Sequence, residues 1–248
     1  MKPIIKSKDE LDSMREGGKM LSHVLNFLIK TTQVGMTTKD IAKTASSEIN
    51  KLGGEPAFLN YSGFPDVICI SINCEVVHGL PNKYLIKDGD MVSFDFGVKF
   101  KGMVTDAART MVVGQTTKQK QKIIETTKLA LDNGISAVID GAYIGDISSA
   151  VQKTLETKGF GVVRDLVGHG VGKNVHEPPN IPNFGKPKTG QILKAGMTLA
   201  IEPMSTMGSF AVYTAPDGWA VITKDGSLSA HFEDTVLVTN NGSEILTR

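Results

Sequence analysis

Cysteine is scarce in this chain: only Cys69 and Cys74 occur. Two thiols without CxxC spacing cannot build a disulfide framework or a four-thiolate zinc site. No HExxH run occurs either, which removes the zincin arrangement. No stretch approaches the ~18 consecutive apolar residues that a membrane span needs. The opening MKPIIKSKDELDSM lacks the apolar core and small-residue cleavage site of a signal peptide. An excess of one charge is missing too: 27 basic against 26 acidic residues leave a formal charge of +1. Bulk electrostatics therefore gives no reason to expect a nucleic-acid or membrane-surface binder. Long polar or low-complexity tracts are absent from a composition 40% hydrophobic and 21% charged. These absences predict a soluble cytoplasmic protein with reduced thiols, and 248 residues suffice to bury a sizeable core.

What is present begins with helices. Ser7-x-x-Glu10 reads as a capping box, followed by Leu11, Met14, Leu21, Val24, Leu25 and Leu28 on one helical face to about Lys30. Thr37-x-x-Asp40 opens a second helix, with Ile41, Ala45, Ile49 and Leu52 inward and Gly53-Gly54 at its end. A strand over 67–72 comes next. The second half restarts in the same way, with a helix from Thr116-x-x-Gln119 to about Ile139 and another from Asp146 to Gly159. A shift of 106 residues lays Gly35, Asp40, Ile41, Ile49 and Gly53 on Gly141, Asp146, Ile147, Leu155 and Gly159. The shared Gly, Asp-Ile and Gly frame predicts an internal duplication: one domain over 1–248 with halves of roughly 1–114 and 115–248. Helices on one side and a curved, mostly antiparallel sheet on the other make the fold class α+β.

The first half ends on DMVSFDFGVKFKGMVTDAARTMVVG, residues 90–114. Val92, Phe94, Phe96 and Val98 alternate, and the apolar pattern resumes through Met103, Val104, Met111 and Val113. This predicts two half-buried strands joined by a tight turn. A turn centred between Phe100 and Lys101 puts Asp95 directly opposite Asp106, where like charges destabilise a hairpin unless a cation lies between them. The second half supplies Glu202 and Glu233 from strands at 197–202 and 233–239. His169, in DLVGHGVGKNVHEPP, has glycine on both sides, which leaves its imidazole uncrowded. One imidazole and four carboxylates carry too much negative charge for a single ion and suit two divalent ions. His176 and His78 sit at turns. Each reads either as a hydrogen-bond donor at a site edge or as a structural polar residue. His23 and His231 read as structural.

The ordered set Asp95, Asp106, His169, Glu202 and Glu233 resembles the metal ligands of the pita-bread (creatinase/aminopeptidase) metallopeptidases. CISIN (69–73), VVHGLP (76–81), SFDFG (93–97), TDAARTMVVG (105–114), VGHGVG (167–172), HEPP (176–179) and AIEPM (200–204) resemble, in order, the motifs of type I methionine aminopeptidases. The resemblance covers the chain from end to end. It implies a pita-bread fold with two pseudo-symmetric halves and helices on the outer face. The implied activity is a dinuclear metallo-exopeptidase's: hydrolytic removal of the initiator methionine from nascent polypeptides with a small second residue. Two divalent ions, from among Co, Mn, Fe, Zn and Ni, would be bridged by the attacking hydroxide. By the same resemblance Asp95 serves one ion, His169 with Glu202 the other, and Asp106 with Glu233 bridges both. Glu202 would shuttle protons, His176 would meet the developing oxyanion and His78 the scissile amide nitrogen. The implied partners are nascent N-termini, with transient ribosome contact, no nucleic-acid specificity, no membrane and a monomeric chain.

The methionine pocket implied by the resemblance comprises Tyr61, Phe64, Cys69 and Trp219, with Phe58 and Val175 also lining it; His78 and His176 complete the substrate contacts. Phe64, Phe58 and Val175 depart from the commonest bacterial residues, which bears on pocket shape rather than on cleavage. The resemblance implies no large N-terminal domain of the kind that precedes this fold in prolidases and X-Pro aminopeptidases. His176 and Glu202 stand 26 positions apart, which leaves no room for the helical insertion of type II enzymes. Two other readings stand beside this one: an X-Pro-type peptidase of the same fold, and a metal-free pita-bread binding protein. The second expects lost ligands, whereas all five are present.

Overall fold

In the computed structural model, which describes residues 4–248, four helices lie over antiparallel sheets. Helix α1 (Lys8–Thr31) starts at the expected capping box: Ser7 Oγ accepts from the Glu10 N–H while the Glu10 carboxylate accepts from the Ser7 N–H. Helix α2 (Thr38–Lys51) is capped by Thr37, whose hydroxyl oxygen accepts from the Asp40 N–H. In the second half, α3 (Lys118–Ser136) begins at Thr117 rather than Thr116 and ends before Ile139. The hydroxyl of Thr117 is the one that reaches the Lys120 N–H. Helix α4 (Ile144–Thr157) starts two residues ahead of Asp146, because the Asp146 carboxylate reaches back to the Tyr143 N–H at 2.9 Å.

The hairpin strands Met91–Phe100 and Met103–Val112 pair antiparallel along their whole length. Lys101 and Gly102 make the turn, both with positive φ (48° and 79°), the twist that two-residue hairpin turns favour. The turn is thus centred one residue later than the sequence reading placed it. Asp95 faces Ala108 and Asp106 faces Gly97, so the two carboxylates share a face on a diagonal instead of standing directly opposite. Gly102 explains the shift. It takes positive φ without steric cost, whereas the earlier centre would ask Phe100 to do so.

Both faces of the hairpin are buried, where alternation predicted one. Val92, Phe94, Phe96 and Val98 pack against Leu21, Leu25 and Leu28 of α1 and Ile41, Ala45 and Ile49 of α2. Each such fully buried side chain contributes roughly 1.5–3 kcal/mol. The other face, carrying Ser93, Asp95 and Asp106, turns inward. Strand Cys69–Ile72 pairs on the outer edge of Met91–Phe100, with Cys69 beside Asp95. In the second half a five-stranded antiparallel sheet runs in the order Gly242–Ile245, Asp234–Thr239, Thr198–Ile201, Val167–Gly170, Glu177–Pro182. Leu131 and Ile135 of α3 and Ile147 of α4 pack onto its Leu199, Ile201 and Val236.

The hairpin sheet and the five-stranded sheet are hydrogen-bonded to each other. Ala108 and Glu233 exchange backbone hydrogen bonds at 3.3 and 3.0 Å. One residue pair further on, Thr235 Oγ1 accepts from the Asp106 N–H at 2.9 Å and donates to the Asp106 carbonyl at 2.8 Å. The seam between the halves is therefore stitched through two of the four carboxylate-bearing residues.

Candidate metal centre

Each of the five candidate ligands stands on a strand or at its end. Asp95 and Asp106 come from the hairpin, and His169 from Val167–Gly170, paired with Ala200. Glu202 and Glu233 lie just outside the strands Thr198–Ile201 and Asp234–Thr239 rather than within them. All five line one cavity of about 240 Å³, together with His78 and His176. Ligand atoms of Asp106, His169 and Glu233 lie within 4.8 Å of one another. Glu202 Oε1 stands 3.6 Å from His169 Nε2, and Asp95 completes the wall from the neighbouring strand pair.

Among the described residues the cavity lining contains no lysine or arginine to neutralise these carboxylates, and Asp95 Oδ1, Asp106 Oδ1 and Glu233 Oε1 are buried without a hydrogen-bond partner. Burial drives Asp106 up to about 7 and pushes Asp95 well above the usual carboxylate range, with the Asp106 charge adding to the shift. Glu202 and Glu233 move the same way, through burial first and neighbouring carboxylates second. His169 Nδ1 lies 2.9 Å from the Gly170 carbonyl. A carbonyl only accepts, so Nδ1 carries the proton and Nε2 offers its lone pair to the cavity, the arrangement typical of a metal-binding imidazole. Burial lowers this ring to about 3, which keeps it neutral. Oxygen-rich, anionic and orphaned, this donor set fits divalent cations.

The two remaining histidines flank the cluster. His176 packs edge-on against His169, ring centroids 4.2 Å apart, and its Nδ1 meets the Tyr61 hydroxyl at 3.1 Å. Its pKa is lowered by burial. His78 has φ of 60°, a left-handed conformation that costs a non-glycine residue energy. The following Gly79 accounts for it: a Cβ there would stand 2.4 Å from the Ile70 carbonyl, so the chain turns tightly at this point. Burial, and then the His176 charge, lower the His78 pKa. Phe58, Tyr61, Phe64, Cys69, Val175 and Trp219 line the same cavity, where Ser62 and Val77 join them. Phe64 meets Trp219 edge-on at 5.2 Å. Burial followed by the Asp95 charge raises the Cys69 thiol well above its usual range, so it serves as a small apolar wall.

Sequence reasoning missed one member of this neighbourhood. His231, read as structural, is 1% exposed and its Nε2 stands 3.5 Å from Glu202 Oε2. The signal was its spacing: in extended backbone, residues two apart leave the chain on one side, so His231 shares a face with Glu233. A second omission is the buried pair of Lys6 and Glu177, 2.7 Å apart, behind the loop that carries His176. No local pattern joins residues 171 positions apart.

Comparison with known proteins gives a consistent picture. The sequence model of metallopeptidase family M24 matches residues 12–240. A methionine aminopeptidase of Clostridium perfringens is 48% identical over 244 residues, 98% of either chain. Methionine aminopeptidase 1 of Bacillus subtilis is 43% identical over 99% of each. The crystal structure of a methionine aminopeptidase from Thermotoga maritima superposes with a TM-score of 0.98 at 43% identity, each chain covered completely. A prolidase of Pyrococcus horikoshii shares the fold alone, with a TM-score of 0.81 at 24% identity over 64% of its length.

Proposed function

We propose, from the premise that the chain belongs to metallopeptidase family M24 and has the pita-bread fold of its methionine aminopeptidase relatives, that it hydrolytically removes the N-terminal methionine from new polypeptides with a small second residue. The observation that carries this reading is the convergence of five buried metal-ligand side chains and an aromatic, thiol-lined slot on one cavity. An unbranched thioether suits such a slot.

Two divalent ions would be the cofactor in this reading: Asp95 would hold one, His169 and Glu202 the other, and Asp106 and Glu233 would serve both. When bound, such ions lower the pKa of coordinated water and polarise a carbonyl. The chain's own residues do the rest. Phe58, Phe64, Cys69, Val175 and Trp219 hold the methionine side chain and exclude water from it. Tyr61 fixes the His176 ring through its hydroxyl, so that His176 can donate to the oxygen of the scissile carbonyl as charge develops there. His78 meets the scissile amide nitrogen. Glu202 would take up the proton and pass it to the leaving amine. The free N-terminus binds on the Asp95 side, which restricts the reaction to chain ends. We read residues 1–114 and 115–248 as duplicated halves of one catalytic domain, each supplying a helix pair and two of the carboxylates. The setting is cytoplasmic, and the monomeric enzyme meets its substrates as they leave the ribosome.

The test is add-back of Mn²⁺, Co²⁺ or Fe²⁺ to metal-stripped protein with Met-Gly-type and Ala-Pro-type peptides. Methionine release from the first alone is expected. Release of neither product with any metal rejects peptidase function, and cleavage of Ala-Pro alone transfers the chain to the X-Pro peptidases.

A further inference from the structure

One buried side chain at the centre is used by no step above. His231 ends the strand Ser229–His231, and Thr110 clamps its backbone: the hydroxyl accepts from the His231 N–H at 2.9 Å and donates to the His231 carbonyl at 2.7 Å. The backbone of His231 is thereby fixed, with its ring beside Glu202. Its Nε2 lies 3.5 Å from Glu202 Oε2, while the other oxygen, Oε1, lies 3.6 Å from His169 Nε2. Glu202 thus stands between two imidazoles, one for each oxygen. Only His169 has a second anchor, through Nδ1 to the Gly170 carbonyl. Among the described residues neither nitrogen of His231 has a hydrogen-bond partner, although the residue is 1% exposed. A side chain retained only for packing at such a spot would be apolar, because a buried polar group without a partner is destabilising.

We propose that His231 is a positioning residue for Glu202: its Nε2–H directs the Oε2 oxygen and so turns the carboxylate into the orientation that metal binding and proton transfer require. This rests on the proposed peptidase function. A neutral imidazole has one N–H to give, and a carboxylate oxygen 3.5 Å away is drawn in when the site tightens around its ligands. Partners that orient metal ligands in this way typically govern affinity or rate by about 10- to 100-fold.

Two variants separate positioning from packing. His231→Leu removes the donor and keeps an apolar filling, whereas His231→Gln keeps an N–H. With Met-Gly-type peptide and Mn²⁺, His231→Leu is expected to lose about 10- to 100-fold in kcat with KM nearly unchanged, and His231→Gln to recover most of it. Calorimetry of metal-stripped protein with Mn²⁺ should show His231→Leu binding about tenfold more weakly, with its metal-free melting temperature no lower than wild type. Wild-type kcat and Mn²⁺ affinity in His231→Leu overturn the proposal. So does a His231→Leu protein that fails to fold or melts lower without metal, since that assigns the ring to packing. Equal impairment of the Leu and Gln variants overturns it too. If wild-type protein releases no methionine, the peptidase reading fails separately, and the calorimetric comparison still decides the link between His231 and Glu202.

Discussion

Asp95 and Asp106 share one face of the hairpin on a diagonal, each opposite a residue with little or no side chain, Ala108 and Gly97 respectively. The small partners leave space above the strands for what the carboxylates hold. In the proposed arrangement Asp106 touches both ions and Asp95 chiefly one. Asp106→Ala should therefore lower kcat/KM by about a thousandfold or more, since several kcal/mol of charge stabilisation disappear at both ions. Asp95→Ala should keep one tight ion, seen as a metal stoichiometry near one by calorimetry. Equal stoichiometry and equal loss in the two variants reject the unequal roles.

Stability of the metal-stripped protein should fall as pH rises above about 6.5. Two sets of groups oppose each other below that point. The unfolded chain protonates His169 and His231 near their ordinary 6.5, but burial holds both at about 3 in the fold, so their contribution rises with pH up to about 6.5 and then stays flat. Asp106 is raised from 3.8 to about 7, and Asp95, Glu202 and Glu233 are raised as well. Between the ordinary and raised values the folded chain binds protons that the unfolded chain has lost, so stability drops with pH. Above 6.5 only this second effect remains, with a slope of about 1.4 kcal/mol per pH unit for each proton of difference. Melting curves at pH 6.5 and 8.5, with and without Mn²⁺, check it. A stripped protein as stable at 8.5 as at 6.5 contradicts the raised carboxylates, and added metal should abolish the drop.

Much of this site is legible in the chain because Asp95, Asp106 and His169 ride on regular strands and Glu202 and Glu233 sit at strand ends. Period-two alternation marks the hairpin, and once the hairpin is given a two-residue turn Asp95 and Asp106 fall on one face at either of the two centres. The register itself was misread by one step because alternation says nothing about turn conformation. The cue was Gly102, which takes positive φ where Phe100 would be strained. Burial on both hairpin faces was illegible for a different reason: a polar face around Asp95 looks like a solvent face until the other half of the chain is folded against it. His231 and the pair Lys6 and Glu177 escaped because their meaning lies in contacts made across the fold, which propensity and periodicity do not encode.

Among the described residues Lys6 and Glu177 form the most buried ion pair, side chains 2% and 4% exposed. Glu177 Oε1 also accepts from the backbone N–H groups of Lys173 and Asn174, closing the turn that leads to His176. Lys6→Met should leave an unpaired buried carboxylate and cost roughly 3–5 kcal/mol. Thermal melts should show a fall of about 10 °C or more. The double variant Lys6→Met, Glu177→Gln should recover at least half of this loss, because an amide oxygen still accepts from the two N–H groups without a stranded charge. A double variant no more stable than Lys6→Met shows that the charge was not the source of the cost.

Gly97 connects the metal side of the cavity to the substrate side. It faces Asp106 across the hairpin, and a Cβ placed on it would stand 2.5 Å from Phe58 Cε1 and 3.0 Å from the Ala57 Cβ. The Gly97 carbonyl accepts from the Ala57 N–H at 2.8 Å, so the backbone cannot simply move apart. In Gly97→Ala the added methyl must instead displace the Phe58 ring, which lines the cavity. Overpacking of this kind costs about 1–3 kcal/mol, which corresponds to roughly tenfold or more in KM for methionyl peptides if the slot is what is lost. The turnover number should change less, because the reacting groups stay where they were. Gly97→Ala combined with Phe58→Leu removes the clash and should restore KM towards wild type. Should the single variant lose kcat and metal affinity with KM unchanged, the strain has reached Asp106 instead, and Phe58 does not border the methionine side chain.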